Sequence, residues 1–167
     1  GPKFGLLADV TNAYTPAQAI KVGRQLQDLD TFFMEEPVAV FDFLGLAKVA
    51  DALDMRIAAG EQQFTRWEFY RLITEGHVDL IQPNVIICGG ITEMRKIAAM
   101  AAIFDISIVS HNTLHGIPTA AAIHFWVSTH NVRYQQEYVY NVRRKVDGNT
   151  ILKVPVVQKN GFVEAPE

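Results

Sequence analysis

The sequence predicts an α/β chain that forms part of a (β/α) barrel of the TIM type. Two observations predict it. Short apolar runs alternate with segments of helical periodicity, the pattern of parallel strands covered by helices. A residue able to do chemistry then ends each apolar run: Asp9, Glu35, Glu61, Asn84, His111 and Glu137, recurring every 23 to 27 residues. In a barrel all such strand ends meet at one mouth, whereas an open doubly wound sheet strings them along an edge. The near-constant period therefore favours the barrel.

The elements follow in order. Leu6–Asp9 is a short strand, and Thr15-Pro16 supplies a cap and a first-turn proline for a helix from Ala17 to Leu29. Thr31–Glu36 is a strand stopped by Pro37, and Phe41–Leu53 a helix with Leu44, Leu46, Ala47, Val49, Ala50 and Leu53 on its apolar side. Arg56–Glu61 is the next strand; Thr65 and Glu68 have the spacing of a capping box for a helix reaching Glu75. Asp79–Asn84 is a strand, Thr92 a cap for a helix to Phe104, Ser107–His111 a strand, Pro118–Val127 a helix, and Tyr134–Tyr138 a sixth strand. Runs such as Leu80-Ile81 and Ile106–Val109 suit strands buried on both faces.

Six strands fall short of the eight that close a barrel, and typical barrels run to about 250 residues. The expectation is the C-terminal portion of a barrel, about six strands of eight, over residues 1–141. From 142 to 167 the alternation stops, and an extension packing on the barrel is expected.

Composition narrows the function. Of 167 residues, 49% are hydrophobic and 20% charged, which excludes a wholly disordered chain. Fifteen basic against eighteen acidic residues give a net charge of −3, so no polycation is available for nucleic acid. The single cysteine, Cys88, excludes an intramolecular disulfide framework and suits a reducing compartment; beside Gly89-Gly90 it reads as a small packed thiol. No run approaches 18 apolar residues and the start is no signal peptide, so the expected location is the cytoplasm, without membrane contact.

Asp9, Glu35 and Glu61 end three consecutive strands. Each alone would as readily cap a helix or face solvent. Three at one period, pointing into one mouth, repel one another unless a cation sits between them, and hard cations such as Mg²⁺ take oxygen ligands. His111, opposite them, then reads as a general base. His115 is near enough to the mouth to bind substrate, while His77, His124 and His130 are assigned to structure. Gly89-Gly90-Ile91-Thr92 reads first as a tight turn, and Arg133, Arg143, Arg144 and Lys145 as a solvated surface or a subunit contact.

At these residues the chain resembles the enolase superfamily, and within it the mandelate racemase subgroup of the mandelate racemase/muconate lactonizing enzyme family. The matching stretches are Leu7–Tyr14, Met34-Glu35-Glu36-Pro37, Ala59-Gly60-Glu61, Asp79–Asn84 with Gly89–Thr92, and Ser110-His111-Asn112, in order across nearly the whole chain. The resemblance implies Mg²⁺ held by Asp9, Glu35 and Glu61, with Glu36 as a supporting acid behind them. It makes His111 the base on one face of the substrate. It also matches Glu137 to the acid that hydrogen-bonds the substrate carboxylate as it becomes an enediolate. Asn12, Tyr14, Asn112 and His115 are the polar residues available for substrate hydroxyls.

The departures are specific. Asn84 stands where the subgroup has an aspartate paired with the histidine; an amide can hold an imidazole but cannot stabilise imidazolium by charge, so His111 is expected to be a weaker base. The strand carrying the family's lysine base would precede Gly1, as would the N-terminal capping domain, which is expected to be missing from this sequence and on which the 142–167 extension could otherwise pack. The expected activity is Mg²⁺-dependent removal of the proton α to a carboxylate, chiefly dehydration of a sugar acid to a 2-keto-3-deoxy acid. Racemisation or epimerisation stands second, and a non-catalytic degenerate member third. The expected partners are a small-molecule carboxylate and further copies of the chain in a homo-oligomer.

Overall fold

Thr15 and Pro16 start the first helix as their chemistry dictates. In the computed structural model, which describes residues 4–139 and 152–166, Gln18 donates its backbone N–H to the Thr15 hydroxyl, and the Gln18 side chain accepts from the Thr15 backbone at 3.0 Å. Strand β1 (Leu6–Asp9) precedes this helix, α1 (Pro16–Gln27). Then follow β2 (Thr31–Glu35), α2 (Phe43–Ala52), β3 (Arg56–Ala59) and α3 (Thr65–Gly76). The last elements are β4 (Leu80–Ile81), α4 (Ile91–Ile103), β5 (Ser107–Ile108) and α5 (Ile117–Val127). Asp42 caps α2 through the Gly45 N–H at 2.8 Å.

Two caps differ from expectation. The α3 cap is Phe64, one residue earlier than Thr65, and only half of the box forms: Glu68 accepts from the Phe64 N–H at 2.7 Å. At α4 the cap is Gly90 at φ 90°, with Thr92 inside the helix. The turn after β4 needs a positive φ there, which glycine supplies without strain.

All five strands are parallel, in the order β1-β2-β3-β4-β5, with helices between them. This is an α/β arc with the connectivity of a barrel, open at β1 and β5 among the described residues. Strand side chains alternate between two faces. On one, Met34, Ile57, Ile81 and Ile108 join Phe69, Leu72, Met94, Ile97 and Phe125 from the helices in the main core. On the other, Phe33, Ala58, Leu80 and Val109 form a second cluster with Phe32 and Tyr134. Leu7, partnered with Phe33 in register, extends this inner face and is exposed.

The sixth strand does not form. Residues 134–138 have no regular structure, because a side chain takes the pairing positions: Gln136 accepts from the Ser110 N–H at 2.9 Å and donates to the Ile108 carbonyl at 3.1 Å. The segment is held beside β5 by an amide that imitates a peptide group. Of the expected 142–167 extension, residues 142–151 and 167 lie outside the described residues, as do Arg143, Arg144 and Lys145. Val156 is buried, and the Tyr138 hydroxyl donates to its carbonyl at 3.4 Å. Arg133 pairs with Asp105 at 2.6 Å.

Candidate active site

The inner-face alternation places the polar strand ends. Two residues beyond Leu7, Phe33, Leu80 and Val109 come Asp9, Glu35, Gln82 and His111, each continuing the inner face of its strand. Asp9 and Glu35 are register partners across β1 and β2. The Glu35 carboxyl is pushed up to about 7, first by burial, then by the charges of Asp9, Glu137 and Glu61; a hydrogen bond from Gln82 opposes the rise. Three carboxylates from three other segments therefore act on Glu35.

Glu36 works behind them. At φ 47° it turns its buried side chain away from the β2 pattern, and its Oε1 accepts the Gly60 N–H at 2.8 Å. Its backbone N–H donates to the Ala58 carbonyl and its carbonyl accepts from Asn12, at 2.9 and 2.7 Å, so one residue ties together the loops after β1, β2 and β3. Burial raises its pKa as well.

His111 lies between two partners. Its Nε2 is 3.1 Å from Glu61 Oε2, and its Nδ1 is 2.8 Å from the Asn84 amide nitrogen. Glu137 Oε2 accepts the Asn112 N–H at 2.6 Å. Asn112 itself is buried: its amide donates to the Glu137 carbonyl at 3.3 Å and its oxygen accepts from the Thr119 hydroxyl at 3.2 Å. Expected to meet substrate, its side chain here holds the Glu137 backbone and the Thr119 hydroxyl. Asn12 adopts a left-handed conformation at φ 59°, and its Oδ1 is buried without a hydrogen-bond partner among the described residues. Tyr14 packs against the helix-side core. The His115 ring lies 6.4 Å from that of Tyr138, edge to face.

Gln82 is the residue that sequence reasoning passes over. It is 3% exposed, donates to Glu35, and leaves its Oε1 without a partner among the described residues. Its signal was its place two residues after Leu80.

The donor set suits a hard divalent cation. Asp9, Glu35 and Glu61 offer only carboxylate oxygens, and the Glu35 pKa is raised by burial first and by neighbouring carboxylate charge second, the part that such a cation relieves. Yet among the described residues no three acidic, histidine or cysteine side chains already stand in a ligating arrangement. Two are turned to other partners: Asp9 Oδ1 accepts from the Thr11 N–H and hydroxyl at 2.8 and 3.0 Å, and Glu61 faces His111.

A family model described as enolase C-terminal domain-like matches residues 1–167. The chain belongs to that family. Its relatives lie in the mandelate racemase/muconate lactonizing enzyme branch of the enolase superfamily. An arabinonate dehydratase from Saccharolobus solfataricus is 35% identical over 138 residues, covering 78% of this chain and 37% of its own length. A D-galactonate dehydratase from Ralstonia pickettii is 32% identical over 167 residues, covering 98% of this chain and 43% of its own. The 3,6-anhydro-D-galactonate cycloisomerase from Zobellia galactanivorans superposes with a TM-score of 0.88 at 27% identity, over 99% of this chain and 46% of that one. This enolase-like chain thus spans less than half the length of these relatives. No helix among its described residues is long and apolar enough to cross a membrane.

Proposed function

We propose that the enolase-like site removes the proton α to a carboxylate, and that the reaction is dehydration of a sugar acid to a 2-keto-3-deoxy acid. The observation that carries this reading is the rise of the Glu35 pKa to about 7, caused by burial and by the nearby charges of Asp9, Glu137 and Glu61. A surplus of carboxylates is a poor site for an anionic substrate by itself, and a good one once a divalent cation has neutralised it. Two relatives named as sugar-acid dehydratases support the substrate class.

Asp9, Glu35 and Glu61 would hold Mg²⁺, which supplies Lewis-acid stabilisation of an enediolate. The chain's own residues do the rest. Glu36 and Gln82 hold the loop after β3 and the Glu35 carboxyl in place. Glu137, fixed by Asn112, stands on the last segment of the mouth; when it carries a proton it donates to the oxygen on which charge develops. The α-proton passes to the lysine base that the family resemblance places on the preceding strand, and its electron pair remains in the enediolate. Expulsion of the β-hydroxyl, with a proton, releases water and an enol that becomes the 2-keto acid. His111 meets substrate at the same mouth. As a proton acceptor there it would need a free lone pair on the nitrogen facing the site.

An isomerase reading stands second, because a sugar-acid cycloisomerase superposes on nearly the whole chain. The test is incubation of the protein, in its longest available form, with a panel of aldonic acids and Mg²⁺. A 2-keto-3-deoxy product supports dehydration. Isomers or lactone-derived products without loss of water overturn it in favour of isomerisation.

A further inference from the structure

The orientation of Asn84 is set without reference to His111. Its Oδ1 accepts the backbone N–H groups of Ile86 and Ile87 at 2.9 and 3.3 Å, closing the turn after β4 as asparagine side chains do. With the oxygen so engaged, the amide nitrogen is left facing His111 Nδ1 at 2.8 Å. An amide nitrogen has only protons to offer, so Nδ1 must present its lone pair. A neutral imidazole carries one proton, and it then sits on Nε2. There the partner agrees: a carboxylate oxygen of Glu61 lies 3.1 Å away, able only to accept. Asn84 is 6% exposed, which keeps water from substituting for either contact.

We propose that Asn84 is a positioning residue that holds His111 as its Nε2–H tautomer, so that the ring gives the substrate a hydrogen bond from a neutral imidazole and does not take the α-proton. A base acting at Nε2 needs its resting proton on Nδ1, where it would confront the Asn84 NH₂ group, donor against donor. An Nε2–H imidazole is instead suited to an oxygen that gains negative charge, such as a carboxylate becoming an enediolate or a departing hydroxyl. This meaning for catalysis rests on the functional reading given above; the tautomer itself rests on the hydrogen bonds alone. It differs from the expectation that Asn84 leaves His111 a weakened base.

Long-range ¹H–¹⁵N correlation spectra of the ¹⁵N-labelled, metal-free chain report which nitrogen of a neutral imidazole is protonated, and His111→Gln identifies the His111 signals. The expected result is Nδ1 unprotonated and Nε2 protonated, with Nδ1 gaining a proton in Asn84→Asp, whose second oxygen accepts from it. A protonated Nδ1 in the unaltered chain, or one unchanged pattern in both proteins, overturns the proposal. Should Asn84→Asp fail to fold, Asn84→Ser decides: a mixture of tautomers supports Asn84 as the determinant, and an unchanged Nε2–H form assigns the tautomer to Glu61 and overturns it. The spectra are independent of turnover. A chain inactive on every sugar acid but showing the Nε2–H form sinks the functional reading alone.

Discussion

Asp9 and Glu35 stand side by side in register at the ends of β1 and β2, and the charge of the first adds to burial in raising the pKa of the second. Burial and neighbouring carboxylates lift the Glu35 pKa to about 7 from 4.5. Asp9→Asn is expected to lower it, and Gln82→Leu, which removes the opposing hydrogen bond, to raise it further. The ¹³C shift of the Glu35 carboxyl followed against pH checks both directions. The linkage has a sign. The folded state holds this proton more tightly than the unfolded chain, so its stabilisation is complete below about pH 4.5 and is lost as pH rises through 7. In metal-free protein, Glu35→Gln should flatten that decline.

Arg66 and Glu93 tie α3 to α4 at the opposite extreme. Glu93 accepts from the Arg66 backbone at 2.9 Å and from its guanidinium at 2.7 and 2.5 Å, which holds the carboxyl down to about 2. A depressed folded pKa stabilises above the ordinary carboxylate range and loses that contribution as pH falls toward 2. Melting temperature against pH should therefore drop less steeply on the acid side in Glu93→Gln than in the unaltered chain. Parallel curves would show that the pair adds nothing measurable, as is common for exposed ion pairs.

Gly60 cannot carry a side chain. It sits at φ 128°, and a Cβ there would lie 2.8 Å from Phe69 and 3.2 Å from the backbone nitrogen of Gln82. Gly60→Ala should destabilise by about 1–3 kcal/mol, the range for residues forced into sparsely populated backbone. Urea denaturation measures it. The change also moves the N–H that Glu36 holds, so Glu61 should shift with it.

Much of this was legible in the sequence, for physical reasons that also mark where reading stops. The Thr15-Pro16 start was legible because cap and proline act locally. The convergence of Asp9, Glu35 and Glu61 was legible because one βα unit repeats, and the repeat brings strand ends to one mouth. Tyr134–Tyr138 misled because Glu137 continues the period at which the earlier strands end. That Gln136 would replace the ladder with its own side chain depends on the distance to β5, which no local pattern encodes. The buried contact of Asn112 with Thr119 was likewise hidden, because it depends on how α5 packs beside the residue next to His111. Asn84 could be noticed as a departure, but the direction of its amide is set by Ile86 and Ile87 in a turn visible only in three dimensions.

The central claim is that the strand-end carboxylates form a divalent-cation site. Calorimetric titration of Mg²⁺ into the unaltered chain and into Glu35→Gln, at a pH above 7 where Glu35 is ionised, tests it most directly. We expect saturable binding with proton release in the unaltered chain as pH approaches 7, and a loss of affinity of at least tenfold in Glu35→Gln with the fold retained by circular dichroism. Equal affinity in the two proteins, or none in either, would contradict the account.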